Sequence, residues 1–305
     1  MATRLDRLAS RRTDHRVTEA KLLNEAYRHI AQSDSVRYVI GSMQPIDPDY
    51  TRNTYAQGDR IRNQLETRLS EKCEYEYQGS VTNDTHIKAR SDIDLLVITG
   101  KFHMLEKPQE PSSPYRGNPL RDLVDLRADA AASLAAAFPE ATVDSSGAKS
   151  ISLEGGSLRR KVDVVPSNWF NTNRWKETGQ KMYRGVQILD AKSMERLKNT
   201  PFLHNARIAH KDKKTNGGLR KAARLMKSLK YDTEAVDLSS YDLVSIAFVM
   251  PEGDLSVPRS HELSLLNSCH AFCVSLQENS ALRSSLDVPD GHRKYLRRGT
   301  PPLMG

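Results

Sequence analysis

The chain has 305 residues, of which 46 are Lys or Arg and 38 are Asp or Glu, giving a formal net charge of +8 and a pI near 9.3. No apolar run approaches the roughly 18 residues of a membrane-spanning helix, and residues 1–12 lack the apolar segment of a signal peptide. Three cysteines are too few for a disulfide framework, which favours a reducing compartment. We therefore expect a cytoplasmic protein with no membrane partner, whose positive charge suits polyanionic ligands without identifying one.

The first part of the chain predicts helices followed by a sheet. Apolar residues recur at helical spacing over 13–33 and 49–71, and an alanine-rich helix is predicted over 120–138. Residues 104–119 hold four prolines and are predicted to form a loop. Short runs with β-branched or aromatic residues predict strands at 74–78, 92–98, 141–144, 149–153, 159–165 and 186–189.

These elements indicate an α/β fold with about five mixed strands and a C-terminal helical lobe. Gly155 and Gly156 are predicted to turn the chain between two strands, and Pro166 is predicted to end the second of them. The pattern becomes helical after residue 190. We therefore assign the sheet domain with its N-terminal helices, the helical lobe and a flexible tail to residues 1–190, 191–290 and 291–305.

A pair of carboxylates at the start of one predicted strand is the most informative motif. Asp92 and Asp94 project to one face, while Ile93 and Leu95 project to the other, where a core would lie. Two neighbouring carboxylates repel each other, and a bound Mg²⁺, which prefers oxygen ligands, would relieve that repulsion. A lone Asp-x-Asp is more often a solvated strand start, so the assignment depends on the residues around it.

Two further features favour a metal site beside phosphate groups. Gly79 lets the backbone approach a phosphate, to which Ser80 and nearby amides could donate, most favourably at the start of a helix. Asp163 lies on a second predicted strand, where it could complete the three carboxylates of a two-metal site. Alone, Asp163 would more often be a strand residue paired with a neighbouring Arg or Lys. Together these residues predict binding of two Mg²⁺ ions, for which Mn²⁺ could substitute.

A second block of the chain is strongly basic. His204 to Lys230 contains nine Lys or Arg and one acid, Asp212, and 219–229 carries an apolar stripe at helical spacing. Such a helix suits a triphosphate, but a solvated basic face or a nucleic-acid patch has the same pattern. Tyr241 follows this helix, and its ring could stack on a base or belong to the core.

The Gly-Ser pair, the Asp-x-Asp and the distant Asp of Val-Asp-Val-Val-Pro resemble the signature of the polymerase-beta-like nucleotidyltransferases. The forms found at 78–96 and 219–247 are similar to the bacterial cGAS/DncV-like nucleotidyltransferases (CD-NTases). The resemblance implies a polymerase-beta-like palm with an oligoadenylate-synthase-like helical lobe, and nucleotides in the cleft between them. It implies that Asp92, Asp94 and Asp163 are catalytic and bind metal.

The same resemblance implies contacts to the nucleotide. Lys227 would hold the triphosphate, and Ser240 and Tyr241 would hold the base through the tyrosine ring rather than its hydroxyl. The implied nucleotide-binding residues are Gln78, Gly79, Ser80, Lys227, Ser240 and Tyr241.

The implied activity is synthesis of a cyclic di- or trinucleotide from nucleoside triphosphates, with release of pyrophosphate. Such a product would act as a second messenger on a downstream effector in antiphage defence. Two alternatives stay open. An RNA-directed nucleotidyltransferase of the poly(A) or CCA-adding type shares the carboxylates but needs a groove for RNA. A nucleic-acid-sensing or nucleotide-sensing module with a degenerate site would not need three intact carboxylates.

The end of the sequence and two other patterns complete the predictions. Residues 299–305 have two prolines and no charge, which predicts an extended, mobile tail. Some CD-NTases are joined through their C-terminal residue to targets by a ubiquitin-transfer-like enzyme, so the resemblance allows conjugation at Gly305, although a frayed end is favoured. Gly41-Ser42, near Asp47 and Asp49, is predicted to be a loop. A third set could suggest zinc but matches no standard spacing and is assigned to a buried apolar helix: His261, Cys269, His270 and Cys273.

Overall fold

The computed structural model describes residues 3–13, 33–233, 236–285 and 288–291. Of the predicted helix over 13–33, only residues 13 and 33 are among these residues, and of the predicted tail only residue 291; Gly305 lies outside them. Within the described residues, no helix combines the length and apolarity needed to cross a membrane.

Helices and strands alternate through the first two thirds of the chain, and helices follow. The described helices are α1 (Arg4–Arg12), α2 (Asp34–Met43), α3 (Pro48–Arg68), α4 (Pro119–Ala137), α5 (Asn173–Thr178), α6 (Pro201–Lys214), α7 (Gly218–Tyr231), α8 (Ser240–Val249), α9 (Glu252–Leu255), α10 (Ser264–Glu278) and α11 (Ser280–Ser285). The strands are β1 (Cys73–Gln78), β2 (Ile93–Leu105), β3 (Thr142–Asp144), β4 (Ile151–Glu154), β5 (Val162–Asn171), β6 (Arg184–Asp190) and β7 (Glu195–Asn199).

The chain forms two compact units. The sheet unit consists of Thr51–Thr82 and Arg90–Leu203, and the helical unit consists of Met1–Tyr50, Asn83–Ala89 and His204–Gly305. This division differs from the predicted boundary near residue 190, because α1 and α2 bury their apolar faces in the core of the helical unit.

The sheet unit is built on one mixed sheet of seven strands, which confirms the predicted fold class. The strand order is β1-β2-β5-β4-β3, and β6 pairs with both β5 and β7. Of these pairings only that between β2 and β5 is parallel. The parallel pair therefore brings the two strands with predicted catalytic carboxylates side by side.

Alternation along β2 separates the two faces of the sheet. Ile93, Leu95 and Val97 are fully buried on the face that packs with Leu123 and Leu126 of α4. The opposite face holds a smaller apolar cluster, whose buried members are Leu96, Ile98, Val165, Trp169, Val186 and Ile188. Asp94 precedes Leu96 by two residues in β2 and therefore lies on this second face.

The prediction that Pro166 ends its strand is wrong, because β5 continues to Asn171. On one side β5 pairs first with β4, through 162–164, and then with β6, through 167–171. Pro166 lies between these two partners, where its missing N–H removes no hydrogen bond from the ladder.

The prediction of only helices after residue 190 is also incomplete. The charged segment Glu195–Asn199 pairs with β6 as an antiparallel hairpin and forms an edge strand, β7. Its sequence carries Lys and Arg, which are typical of strand edges and hide the strand pattern. The Gly41-Ser42 pair likewise lies in α2 and is buried there, rather than in a loop.

Candidate active site

Strand register places two of the three predicted carboxylates directly side by side. Asp94 of β2 is the Cα partner of Asp163 in β5, and Gln78 of β1 lies opposite Asp94 on the other side. Asp92 immediately precedes β2 and is exposed. We call Asp92, Asp94 and Asp163 the carboxylate cluster.

The three acids differ in their exposure to solvent, and Asp94 has a strongly shifted pKa. Burial, followed by the charges of Asp163 and Asp92, raises the pKa of Asp94 from 3.8 to about 7, although Lys161 opposes this shift. The cluster therefore stores electrostatic repulsion that a cation would relieve.

Gly79 turns the chain beside this carboxylate. Its φ of +91° lies in the left-handed region that favours glycine, and a Cβ at this position would overlap Oδ2 of Asp94. The Thr82 hydroxyl donates to the Gly79 carbonyl at 2.8 Å and closes the turn. Ser80 lies in this turn and not at the start of a helix, so the more favourable case of a helix N-terminus is not realised there.

Lys161 lies against the cluster. Its Nζ is 3.3 Å from Oδ2 of Asp163 and 3.8 Å from Oδ2 of Asp92. Burial lowers the pKa of Lys161, but the charges of Asp163 and Asp92 outweigh burial and raise it above its ordinary value. The alternative that Asp163 pairs with a neighbouring cation is thus realised, by a residue that the sequence analysis did not single out. The signal was present, because residues two apart in a strand share a face.

The residues of the cluster fit a divalent cation by three observations. All donors are carboxylate oxygens, the ligand type that Mg²⁺ prefers. Oδ1 of Asp163 is buried and has no hydrogen-bond partner among the described residues. Lys161 already brings a positive charge to two of the carboxylates. In the described part of the chain, however, no three His, Cys, Asp or Glu side chains are grouped as a complete metal site, so binding would require these side chains to move.

Gln78 is engaged within the sheet unit. Its Oε1 accepts a hydrogen bond of 3.1 Å from Nδ2 of Asn199 at the end of β7. The predicted site residues of the sheet unit are therefore Gln78, Gly79, Ser80 and the carboxylate cluster. The other three, Lys227, Ser240 and Tyr241, belong to the helical unit.

Three basic side chains of helix α7 donate hydrogen bonds to backbone carbonyls. Arg220 Nε donates to the carbonyl of residue 83 at 2.8 Å, Arg224 Nη1 to that of residue 84 at 2.7 Å, and Lys227 Nζ to that of residue 85 at 2.6 Å. We call these three side chains the cation ladder. Spaced by four and three residues, they share one helix face, so three successive carbonyls are bound by three successive turns.

Lys227 is buried, and its environment is unusual for a free phosphate ligand. Burial, followed by the charge of Arg224, lowers the pKa of Lys227 to about 8. Thr85, whose carbonyl it binds, is itself fully buried, and the Thr85 hydroxyl donates to Asn83 Oδ1 at 2.6 Å. The Thr85 hydroxyl thus has a structural partner within the same segment.

Ser240 and Tyr241 begin α8. Ser239, not Ser240, is the N-cap and forms a capping box with Asp242, which leaves Ser240 exposed at the first helical position. The Tyr241 hydroxyl donates to Oδ2 of Asp290 at 2.8 Å, and its ring stacks on His204 with centroids 5.1 Å apart.

Neither partner of Tyr241 was predicted, since 37 or more residues separate each from it in the chain. The Tyr241 hydroxyl therefore has a structural partner, whereas the sequence analysis expected a role only for the ring. Of the four candidate zinc residues, Cys269 and Cys273 lie in or against the apolar core of the helical unit, which confirms their assignment to a packed helix. His261 and His270 are exposed, and His261 precedes α10, so the assignment to a buried helix is wrong for these two.

The cyclic dinucleotide synthase CdnE of Yersinia aleksiciae is 40% identical over 282 residues, which are 90% of this chain and 74% of the relative. A c-di-GMP synthase of Lachnospiraceae bacterium (strain RUG226) is 33% identical over 262 residues, which are 76% of this chain and 75% of the relative.

Among solved structures, the STING-associated CdnE c-di-GMP synthase from Capnocytophaga granulosa has a TM-score of 0.79 and 28% identity, and the match covers 97% of this chain and 90% of that one. No protein-family profile matches the chain.

Proposed function

Since the chain belongs to the bacterial CD-NTases, which are nucleotidyltransferases, we propose that it makes a cyclic dinucleotide by two-metal chemistry at the carboxylate cluster. The register that pairs Asp94 with Asp163 is the observation on which this proposal depends. The c-di-GMP synthases of Lachnospiraceae bacterium and Capnocytophaga granulosa support guanosine as the first base to test.

The carboxylate cluster is proposed to bind two Mg²⁺ ions. Asp92 and Asp94 would hold both ions, and Asp163 would hold one of them. When bound, the ions would neutralise phosphate charge and stabilise the pyrophosphate leaving group. Gly79 has no side chain, which lets the Asp94 carboxylate lie close to the backbone of this turn.

Each transfer forms one bond and breaks one. The oxygen of a ribose hydroxyl bonds to the α-phosphorus of a second nucleotide, and the bond from that phosphorus to the bridging oxygen of pyrophosphate breaks. Asp163 is proposed to accept the proton of the attacking hydroxyl at Oδ1, since this buried oxygen has no hydrogen-bond partner among the described residues. A second transfer of the same kind closes the ring.

The nucleotide contacts are proposed residue by residue. Backbone amides near Gly79 and the hydroxyl of Ser80 would donate to phosphate oxygens. Lys227, Ser240 and Tyr241 stay predicted contacts to the triphosphate and the base.

The cyclic product is proposed to act on a downstream effector in antiphage defence. Support comes from the Capnocytophaga granulosa relative, which is described as STING-associated. Conjugation at Gly305 stays a prediction, because this residue lies outside the part of the chain that the structure describes.

The activity is tested with the purified chain, labelled ATP, GTP, CTP and UTP, and Mg²⁺, without RNA. We expect a phosphatase-resistant product with the mass of a cyclic dinucleotide, and its loss in Asp94→Asn. The matched control is Asp125→Asn, which removes an exposed acid paired with Arg121 on α4. A product formed only when RNA is added would instead support the RNA-directed alternative, and a linear product alone would contradict cyclisation.

A further inference from the structure

Lys161 contacts the carboxylate cluster in a way that the proposed reaction does not use. Its ammonium group lies within 4 Å of two acids, Asp163 at 3.3 Å and Asp92 at 3.8 Å. The Asp163 side chain is only 16% exposed, so its charge is weakly screened by water. The ammonium therefore pairs with two of the three acids of the carboxylate cluster, and its charge also acts on the third, Asp94.

The backbone fixes this lysine beside the cluster. The N–H of Ile93 donates to the carbonyl of Lys161 at 3.3 Å, which joins the start of β2 to the residue before β5. Lys161 precedes Asp163 by two residues and therefore shares its face of the sheet. The Lys161 side chain is 35% exposed, so it has room to leave the acids for solvent.

A second lysine of the sheet unit provides a comparison. Lys101 Nζ also bridges two acids, Glu71 at 2.7 Å and Asp122 at 3.7 Å, and its side chain is 40% exposed. The two lysines thus match in exposure and in the number of acids, but only Lys161 contacts residues assigned to metal binding.

We propose that Lys161 is an internal counter-cation, which neutralises Asp92 and Asp163 in the metal-free protein and must leave them before a divalent cation binds. This inference rests on the proposed metal site. Lys161 would then set the affinity of the site for the cation, since each binding event must first break its two ion pairs. It is a positioning residue for the acids rather than a group that reacts.

The affinity for Mn²⁺ is the direct measurement, because free Mn²⁺ is counted by electron paramagnetic resonance without turnover. We expect Lys161→Gln to bind Mn²⁺ about tenfold more tightly than the unmodified chain, which is equivalent to about 1.4 kcal/mol. Lys101→Gln should leave the affinity unchanged. An affinity of Lys161→Gln within twofold of the unmodified chain would overturn the inference.

Asp94→Asn separates this inference from the proposed function. If the unmodified chain has a Mn²⁺ site that Asp94→Asn removes, the metal site stands and the behaviour of Lys161→Gln decides the inference alone. If no such site is found, both the two-metal proposal and the inference are wrong.

A measurement on the unmodified chain covers the case in which Lys161→Gln does not fold. Amine acetylation is followed by mass spectrometry at Lys161 and Lys101, with and without Mn²⁺. We expect acetylation of Lys161 to become at least threefold faster with Mn²⁺, since the released amine is exposed, while Lys101 does not change. Equal rates at Lys161 in the two conditions would contradict the inference.

Discussion

The carboxylate cluster and the cation ladder are both groups of like charge, but their side chains have different surroundings. The acids of the cluster face one another, and one buried oxygen of Asp163 has no hydrogen-bond partner among the described residues. The cations of the ladder each bind a backbone carbonyl. Acids that repel one another indicate a site suited to a cation, whereas cations that each bind a carbonyl indicate a structural role. Removing charge should therefore have opposite effects on stability in the two regions.

The largest effect on activity should come from removing Asp92 and Asp94 together. Asp92→Ala with Asp94→Ala should reduce turnover at least about 10³-fold, because the charge that holds the cations is lost. Product formation measured by mass spectrometry, with circular dichroism to confirm folding, checks this. A folded double variant that retains a tenth of the activity would show that the cluster is not catalytic.

Within the ladder, Arg224 should matter most for stability. Its side chain is 4% exposed and donates to two backbone carbonyls, of Met43 and of Asp84. Arg224→Met should lower the free energy of unfolding by about 2–4 kcal/mol, because buried acceptors lose their donor. Urea unfolding measures this, and the control is Arg121→Met, at a side chain that is 72% exposed. Equal urea midpoints for the two variants would show that the Arg224 contacts of the cation ladder do not stabilise the fold.

Lys227 belongs to the cation ladder and is also a predicted contact to the triphosphate. If it contacts the triphosphate as predicted, Lys227→Met should raise the KM for nucleotide by roughly 10- to 150-fold, the value of a charge-assisted contact of about 1.5–3 kcal/mol. Steady-state kinetics checks this, with urea unfolding alongside. An unchanged KM with lower stability would assign Lys227 wholly to the ladder.

The metal-free protein should lose stability as pH rises through the range set by Asp94. Its pKa is about 7 in the folded chain and 3.8 as the ordinary value, so the folded state binds more protons between these values. The free energy of unfolding should therefore fall from about pH 4 to pH 7. Asp94→Asn should flatten this slope and stabilise the metal-free protein at pH 8 by about 1–3 kcal/mol. Thermal melts in a chelator measure both, and a lower melting temperature for the variant at pH 8 would contradict the stored repulsion.

The smallest effect concerns the hydroxyl of Tyr241. Tyr241→Phe removes a hydrogen bond to Asp290, which is 3% exposed, and should cost about 1 kcal/mol of stability. Tyr241→Ala should cost more, because the stack on His204 is also lost. If Tyr241→Phe were as stable as the unmodified chain, only the ring would matter, as the sequence analysis expected.

Local patterns in the sequence predicted the sheet and the pairing of its acids. Alternation in β2 and β5 was enough to place Asp94 and Asp163 on one face, because strand geometry is set by neighbouring residues. The same reasoning assigned the basic face of α7 to a free ligand. It could not predict the carbonyl partners, because they come from a segment more than 130 residues away and carry no side-chain signal. Pro166 and β7 were misread for a related reason, since both depend on which strand lies alongside.

The placement of 83–89 has a consequence for modularity. This segment belongs to the helical unit, although residues of the sheet unit precede and follow it in the chain. A polypeptide ending at residue 203 would keep the segment but lose α7, so the carbonyls of residues 83–85 would lose the donors of the cation ladder. Any exchange of the helical unit between relatives must carry this short insertion with it.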